Sequence, residues 1–205
     1  MKRISLALLL AIVFAVFGCA DTSAQTDQNL RGKKALVAFF SRADENYDVG
    51  YVAKGNTQIL AQMIAAKINA PLFHIQTIKP YPKEYKPTTD IAKQEQRENA
   101  RPELTAKVEN MGEYDVIFLG YPIWWSDLPM AVYTFLQSYD FKGKTIIPFA
   151  THEGSGLSGT DGYIAKATGA KVSTPLVMQG KVAQNSQDEA QKEVDSWLKK
   201  LGLID

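Results

Sequence analysis

Five short apolar runs are separated by stretches of helical periodicity, and this alternation restricts the fold more than any other feature of the chain. The runs are "KALVAFF" (34–40), "APLFHIQTI" (70–78), "YDVIFLGY" (114–121), "KTIIPFAT" (144–151) and "KVSTPLVMQG" (171–180). Most are apolar along their length and do not alternate with polar residues. A strand of that kind is buried on both faces. Between them, residues 56–69 place Ile59, Leu60, Met63, Ile64 and Ile68 at helical spacing, and residues 130–139 follow Pro129, a residue suited to a helix start. Residues 160–169 read as a short helix ended by Gly169. Residues 186–202 read as a final helix, with Ser186 and Glu189 at capping-box spacing and Lys199 and Lys200 at the negative end of the dipole. The order is β-α-β-(α)-β-α-β-α-β-α. That order predicts an α/β domain, a three-layer doubly wound five-stranded parallel sheet with helices on both faces. The segment 79–111 is long and polar. It contains "YPKEY", a solvated helix over 90–100, and a role as lid or dimer contact left open.

The N-terminus follows other rules. Met1-Lys2-Arg3 is a basic start, and residues 4–17 are apolar except for Ser5. The run is shorter than the roughly 20 residues that span a bilayer core, and it fits a secretory signal. It ends in "VFGCA", with the chain's single cysteine at Cys19. Residues 1–18 therefore read as a lipoprotein signal peptide, with Cys19 lipidated after cleavage. Ordinary cleavage after Ala24 is the alternative. Residues 19–33 are polar and aperiodic and read as a flexible tether, leaving 34–205 as the folded domain. The expected location is the bacterial cell envelope, anchored by lipid, or otherwise periplasmic or secreted. A formal net charge of +1, with no basic patch, gives no footprint for nucleic acid. Membrane contact is expected through the lipid alone. With one cysteine, no disulfide forms within the chain.

Sheets of this type bind ligands beyond the carboxyl ends of their strands. Three loops there are unusual. After the first strand come Ser41 and Arg42, an insertion over 43–54, and then Gly55, Asn56 and Thr57 at a helix start. Helix-start amides with small polar residues suit a phosphate, or Asn56 or Thr57 simply caps the helix. After the third strand comes "GYPIWWSD", in which Pro122, Ile123, Trp124 and Trp125 form a stiff aromatic loop. Indoles there either pack a core or a contact, or offer a flat face to a flat ligand. After the fourth strand comes "ATHEGSGLSGTDG", in which Gly154, Gly156 and Gly159 permit close backbone approach and free amides. His152 has no partner identifiable from the sequence. Asp44, Asn46 and Asp48 have the opening spacing of a calcium loop, but Val49 and Gly55 stand where its glycine and glutamate belong. No metal site is read.

Taken together, "FSR…GNT", "GYPIWW" and "PFATHEGSG" resemble the flavodoxin-like family, whose members bind flavin mononucleotide (FMN). The likeness runs over residues 34–204. It implies strand order 2-1-3-4-5, with FMN at the switch between the first and third strands. It implies Ser41, Asn56 and Thr57, with Arg42 and Gly55 beside them, around the phosphate. Pro122, Ile123, Trp124 and Trp125 would lie beside the isoalloxazine ring. Thr151, His152, Gly154, Ser155 and Gly156 would line its other edge. No residue is assigned a catalytic role. Asp127, Asp44, Glu45 and Asp48 are expected to lower the flavin potential if they lie near the ring. Three functions follow. One is an electron carrier working with a redox partner protein or a small-molecule acceptor. Another is an NAD(P)H-dependent quinone or flavin reductase. The third is a surface lipoprotein without flavin.

Overall fold

The computed structural model describes residues 30–205. The signal peptide, Cys19 and most of the expected tether lie outside the described residues. The tether's last residues are not free: Leu30 is buried in the core, and Arg31 bonds the Gly202 carbonyl at 3.1 Å and pairs with Asp205.

The central sheet is parallel. Strand β1 (Ala35–Phe39) lies between β4 (Leu72–His74) and β5 (Val116–Pro122), followed by β6 (Thr145–His152). The last position is shared by β7 (Lys171–Val172) and β8 (Leu176–Gln179), which both pair with β6. Counting that broken strand as one, the order is 2-1-3-4-5, as expected. The continuous fifth strand predicted for 171–180 is corrected by the break. It falls at Pro175, which has no N–H for the ladder, and at Thr174, whose carbonyl accepts the Trp197 indole N–H at 3.0 Å.

The apolar runs are explained by parity. Leu36, Ala38 and Phe40 enter one core layer with Ile117, Leu119, Val132 and Phe135. Val37 and Phe39 enter the other with Phe118, Leu60, Ile64 and Leu198. Successive side chains point to opposite faces, so a strand covered on both sides has no place for a polar residue. Each of the larger of these side chains stabilises the fold by about 1.5–3 kcal/mol. Gly120 is needed within this packing. A Cβ there would stand 2.2 Å from the Phe149 ring.

Helix α1 (Asn56–Ile68) ends at left-handed Asn69. Helix α2 (Tyr85–Glu98) starts five residues before the predicted solvated helix and buries Thr88 and Ala92. Helix α3 (Met130–Gln137) follows Pro129 at its N-cap, and α4 (Thr160–Thr168) is closed by left-handed Gly169. An additional short helix, α5 (Gly180–Asn185), precedes α6 (Gln187–Lys200). Ser186 stands between the two and makes no side-chain cap, so the expected capping box does not form. Its N–H closes α5 on the Val182 carbonyl, and its own carbonyl opens α6 by accepting the Ala190 N–H at 3.0 Å. The 43–54 insertion is an antiparallel hairpin of β2 (Asp44–Asn46) and β3 (Gly50–Val52).

Candidate functional site

The carboxyl ends of β1, β5 and β6 meet at one edge of the domain, and the head of α1 joins them there. Gly55 brings α1 against the β1 loop. A Cβ at Gly55 would stand 2.3 Å from both the Arg42 carbonyl oxygen and Ser41 Oγ. Ser41 Oγ accepts the Gln58 N–H at 3.1 Å and so caps α1 from outside the helix. Its own carbonyl is within 3.2 Å of His74 Nε2. The His74 ring stacks on Phe39 at 4.6 Å, and burial lowers its pKa. Thr57 is turned inward: its hydroxyl meets the Thr151 hydroxyl at 2.8 Å, and both residues are almost fully buried. That pair ties the head of α1 to the end of β6. Asn56 faces the cleft, and its Oδ1 is buried without a partner. A buried polar atom left unpaired is costly, and such atoms are rare in native folds.

Arg42 does not point at the cleft as a free cation. Its guanidinium donates to the carbonyls of Ala43 (2.9 Å), Lys83 (3.1 Å) and Glu45. Burial lowers its pKa. The side chain stitches the hairpin to the segment before α2. The same seam is closed by Glu45, whose N–H donates to the Lys83 carbonyl and whose Oε2 accepts the Tyr85 N–H at 2.7 Å.

The aromatic loop is a tight turn. Trp124 and Asp127 exchange backbone hydrogen bonds of 2.9 and 3.0 Å. The two residues between them, Trp125 and Ser126, both have positive φ, 51° and 61°, as in the mirror-image hairpin turns. A bulky residue in that region is a genuine outlier, and contacts hold it there. The Trp125 indole N–H donates to the Thr89 carbonyl at 3.0 Å, Gln96 bonds its carbonyl, and Lys93 Nζ lies 4.5 Å from its ring centre. Trp125 is thus anchored on α2. Trp124 stands differently, edge-on to Phe40 at 5.3 Å and to Tyr81 at 5.2 Å, and it borders two cavities. Asp127 is directed away from them. Its Oδ1 accepts the Leu128 N–H and the Tyr133 hydroxyl, both at 2.7 Å. The expected influence of Asp127 on a flavin ring is therefore withdrawn.

In the third loop, His152 is the hub. Its Nδ1 accepts the N–H of Gly154 at 2.9 Å and of Gly156 at 3.1 Å. An acceptor at Nδ1 fixes a neutral ring with the proton on Nε2, and burial lowers its pKa. The amides of Gly154 and Gly156, expected to face a ligand, are bonded inward. Gly154, with φ 114°, takes a conformation that side-chain-bearing residues avoid. Ser155 lines the cleft with Pro122, Ile123 and Trp124.

Two cavities result. The larger, about 370 Å³, lies between the head of α1, Trp124 and the third loop. The smaller, about 170 Å³, is walled by Arg42, Ile123, both tryptophans and α2. The residues missed from the sequence are Asn46, Tyr47, Tyr85 and Glu153, which line the larger cavity. Tyr47 and Tyr85 rings lie 5.8 Å apart at its rim. The available signal was an aromatic residue inside each of two otherwise polar segments.

Comparisons with known proteins agree with this architecture. A family model described as Flavodoxin matches residues 34–201. A crystal structure of a candidate flavoprotein from Bacteroides uniformis is similar, at 28% identity and a TM-score of 0.64, over 82% of this chain and 99% of that one. Another, from Bacteroides eggerthii, matches at 27% identity and a TM-score of 0.63, over 83% and 98%. A flavoprotein from Lactobacillus acidophilus, crystallised in complex with FMN, shares the fold at 19% identity and a TM-score of 0.56, over 74% and 97%. A comparison with curated proteins gives no match. With the family model covering nearly the whole described domain, this chain belongs to the flavodoxin family.

Proposed function

We propose that this protein binds FMN at the larger cavity and carries electrons, exported and anchored to a membrane through a lipid on Cys19. The observation that carries the flavin reading is Asn56 Oδ1, buried and unpaired at the head of α1 on the edge of a cavity walled by Trp124. Asn56 Nδ2 is turned toward Gly180 and Glu153 Oε1, so the oxygen is the atom left to accept from a ligand, such as a hydroxyl of the flavin's ribityl chain. A phosphate would meet the first backbone amides of α1, at the positive end of a 13-residue helix. The residues fit the group: the first amides of α1 for the phosphate, Asn56 for the chain beside it, Trp124 for the face of the ring, and Pro122, Ile123 and Ser155 along its edge. Flavin, when bound, supplies the redox chemistry. The chain supplies shape and charge. Among the described residues lining this cavity there is no Lys or Arg, and there is one carboxylate. Such surroundings disfavour a negatively charged reduced ring and lower the potential at which it forms. Lipid anchorage is supported by the "VFGCA" sequence alone.

A second reading, an NAD(P)H-dependent FMN reductase of quinones or flavins, is favoured by the smaller cavity. It adjoins the larger one at Trp124 and is closed by α2 and the hairpin, so a small acceptor would have a walled place beside the ring. One experiment separates the readings. The purified protein is expected to be yellow, or to become so with added FMN. A colourless protein that takes up no FMN would defeat both flavin readings and leave a non-flavin lipoprotein. Rapid anaerobic bleaching by NADH or NADPH would identify a reductase, and a slow response a carrier.

A further inference from the structure

Glu153 has no part in holding a flavin in the scheme above, yet it stands at the phosphate end of the cleft. Its Oε1 accepts the Lys181 N–H at 3.1 Å. Gly180 packs against both Glu153 and Asn56. A Cβ at Gly180 would lie 2.4 Å from Glu153 Oε1 and 1.9 Å from Asn56 Nδ2. The carboxylate and the amide at the head of α1 therefore share one spot. Other charges are few. Asp48 of the hairpin approaches and is paired with Lys181 Nζ at 3.7 Å. Neighbouring His152 is a neutral acceptor, and Tyr47 contributes an uncharged wall.

We infer that Glu153 is a charge-discriminating residue, whose carboxylate opposes the phosphate of FMN and lowers the preference of the site for FMN over riboflavin. This rests on the flavin reading proposed above. The head of α1 attracts an anion, and Glu153 places a like charge beside it. Burial, and then nearby Asp48, raise the Glu153 pKa, so its carboxylate becomes neutral at a higher pH than an exposed one. A single like charge facing a phosphate dianion across a watery cleft changes affinity by roughly three- to tenfold at low salt.

The test is flavin affinity, read from fluorescence quenching with the full chain at pH 8 and low salt. FMN and riboflavin are titrated into the unaltered protein, Glu153→Gln and Glu153→Ser. The two replacements share only the loss of charge. Both are expected to bind FMN three- to tenfold more tightly while riboflavin affinity stays constant. The gain should shrink in high salt. It should also shrink as the pH falls and Glu153 in the unaltered protein becomes neutral; the phosphate's own titration is common to all three proteins. Unchanged FMN affinity in either variant, or an equal change for riboflavin, would overturn the inference while leaving the flavin reading intact. If the unaltered protein bound neither flavin, the flavin reading itself would fall, and this inference with it.

Discussion

The Thr57–Thr151 pair offers the sharpest test of how the cleft is built. The two hydroxyls lie 2.8 Å apart, and the residues are 1% and 2% exposed. Replacing either by valine keeps shape and volume but leaves the other hydroxyl in an apolar site. Loss of one partner of a buried hydrogen bond costs about 1–3 kcal/mol, whereas replacing both by apolar groups of the same shape is close to neutral. Each single variant should therefore lose about 1–3 kcal/mol, and the double variant should recover most of it. Urea unfolding reads this directly. With a slope of about 2 kcal/mol per molar, each single substitution lowers the midpoint by roughly 0.5–1.5 M.

The double-mutant cycle decides the matter, because contacting residues couple and distant ones add. Two near-neutral single variants, or a double variant equal to their additive loss, would refute the claim that the hydroxyls satisfy each other. Flavin affinity gives a second readout. In the double variant stability returns but no hydrogen bond pins α1 to β6, so FMN binding should stay weaker than in the unaltered protein.

Trp124→Ala is expected to weaken FMN binding by about tenfold, as for the loss of an aromatic contact of about 1.4 kcal/mol. Trp125→Ala, with its indole anchored on Thr89, should change affinity less than about threefold; the reverse ranking, by fluorescence titration, would disprove this assignment. Gly55→Ala drives a Cβ into the Arg42 carbonyl and Ser41 Oγ. It should cost at least about 1–3 kcal/mol by denaturant unfolding and impair flavin uptake, and a neutral result would mean the loop yields. His152 sets a pH limit. Burial holds its folded pKa below the ordinary value of about 6.5. The stabilisation from its two amide bonds is complete above pH 6.5 and is lost as pH falls through the lower folded value. His152→Ala should flatten that acid limb of the stability–pH curve, and an unchanged curve would remove His152 as its cause.

The sheet was legible because burial on both faces leaves a strong, local mark. "ALVAF" has no polar position, since one parity faces α1 and α6 and the other faces α3. The hairpin β2–β3 left no such mark. Its strands are three residues each, half-buried or exposed and nowhere fully buried, and its turn depends on left-handed Asp48 and Gly50. Nothing in "DENYDVGYV" alternates, because neither face meets a core. The early start of α2 was hidden for a related reason. Only Thr88 and Ala92 of that helix are buried, too few for a period to show.

The site was legible as a set of residues but not as a set of directions. A hydroxyl, an imidazole or a guanidinium can bond a ligand or the protein, and the difference depends on partners remote in sequence. Thr57 finds its partner 94 residues away and Arg42 finds one 41 residues away. Thr57 therefore ties the cleft together without facing it, Arg42 walls the smaller cavity with its guanidinium held by carbonyls, and His152 borders the larger one with Nδ1 held by its own loop. Asn56, Pro122, Ile123, Trp124 and Ser155 face inward; of these, Asn56 carries an unpaired buried oxygen, and Trp124 stands between two cavities. The two roles respond differently to substitution. A residue that frames the cleft should lose stability and flavin affinity together when altered. A residue that faces the cavity should lose affinity at nearly constant stability. Thr57→Val and Trp124→Ala, each measured by both assays, set that division against observation.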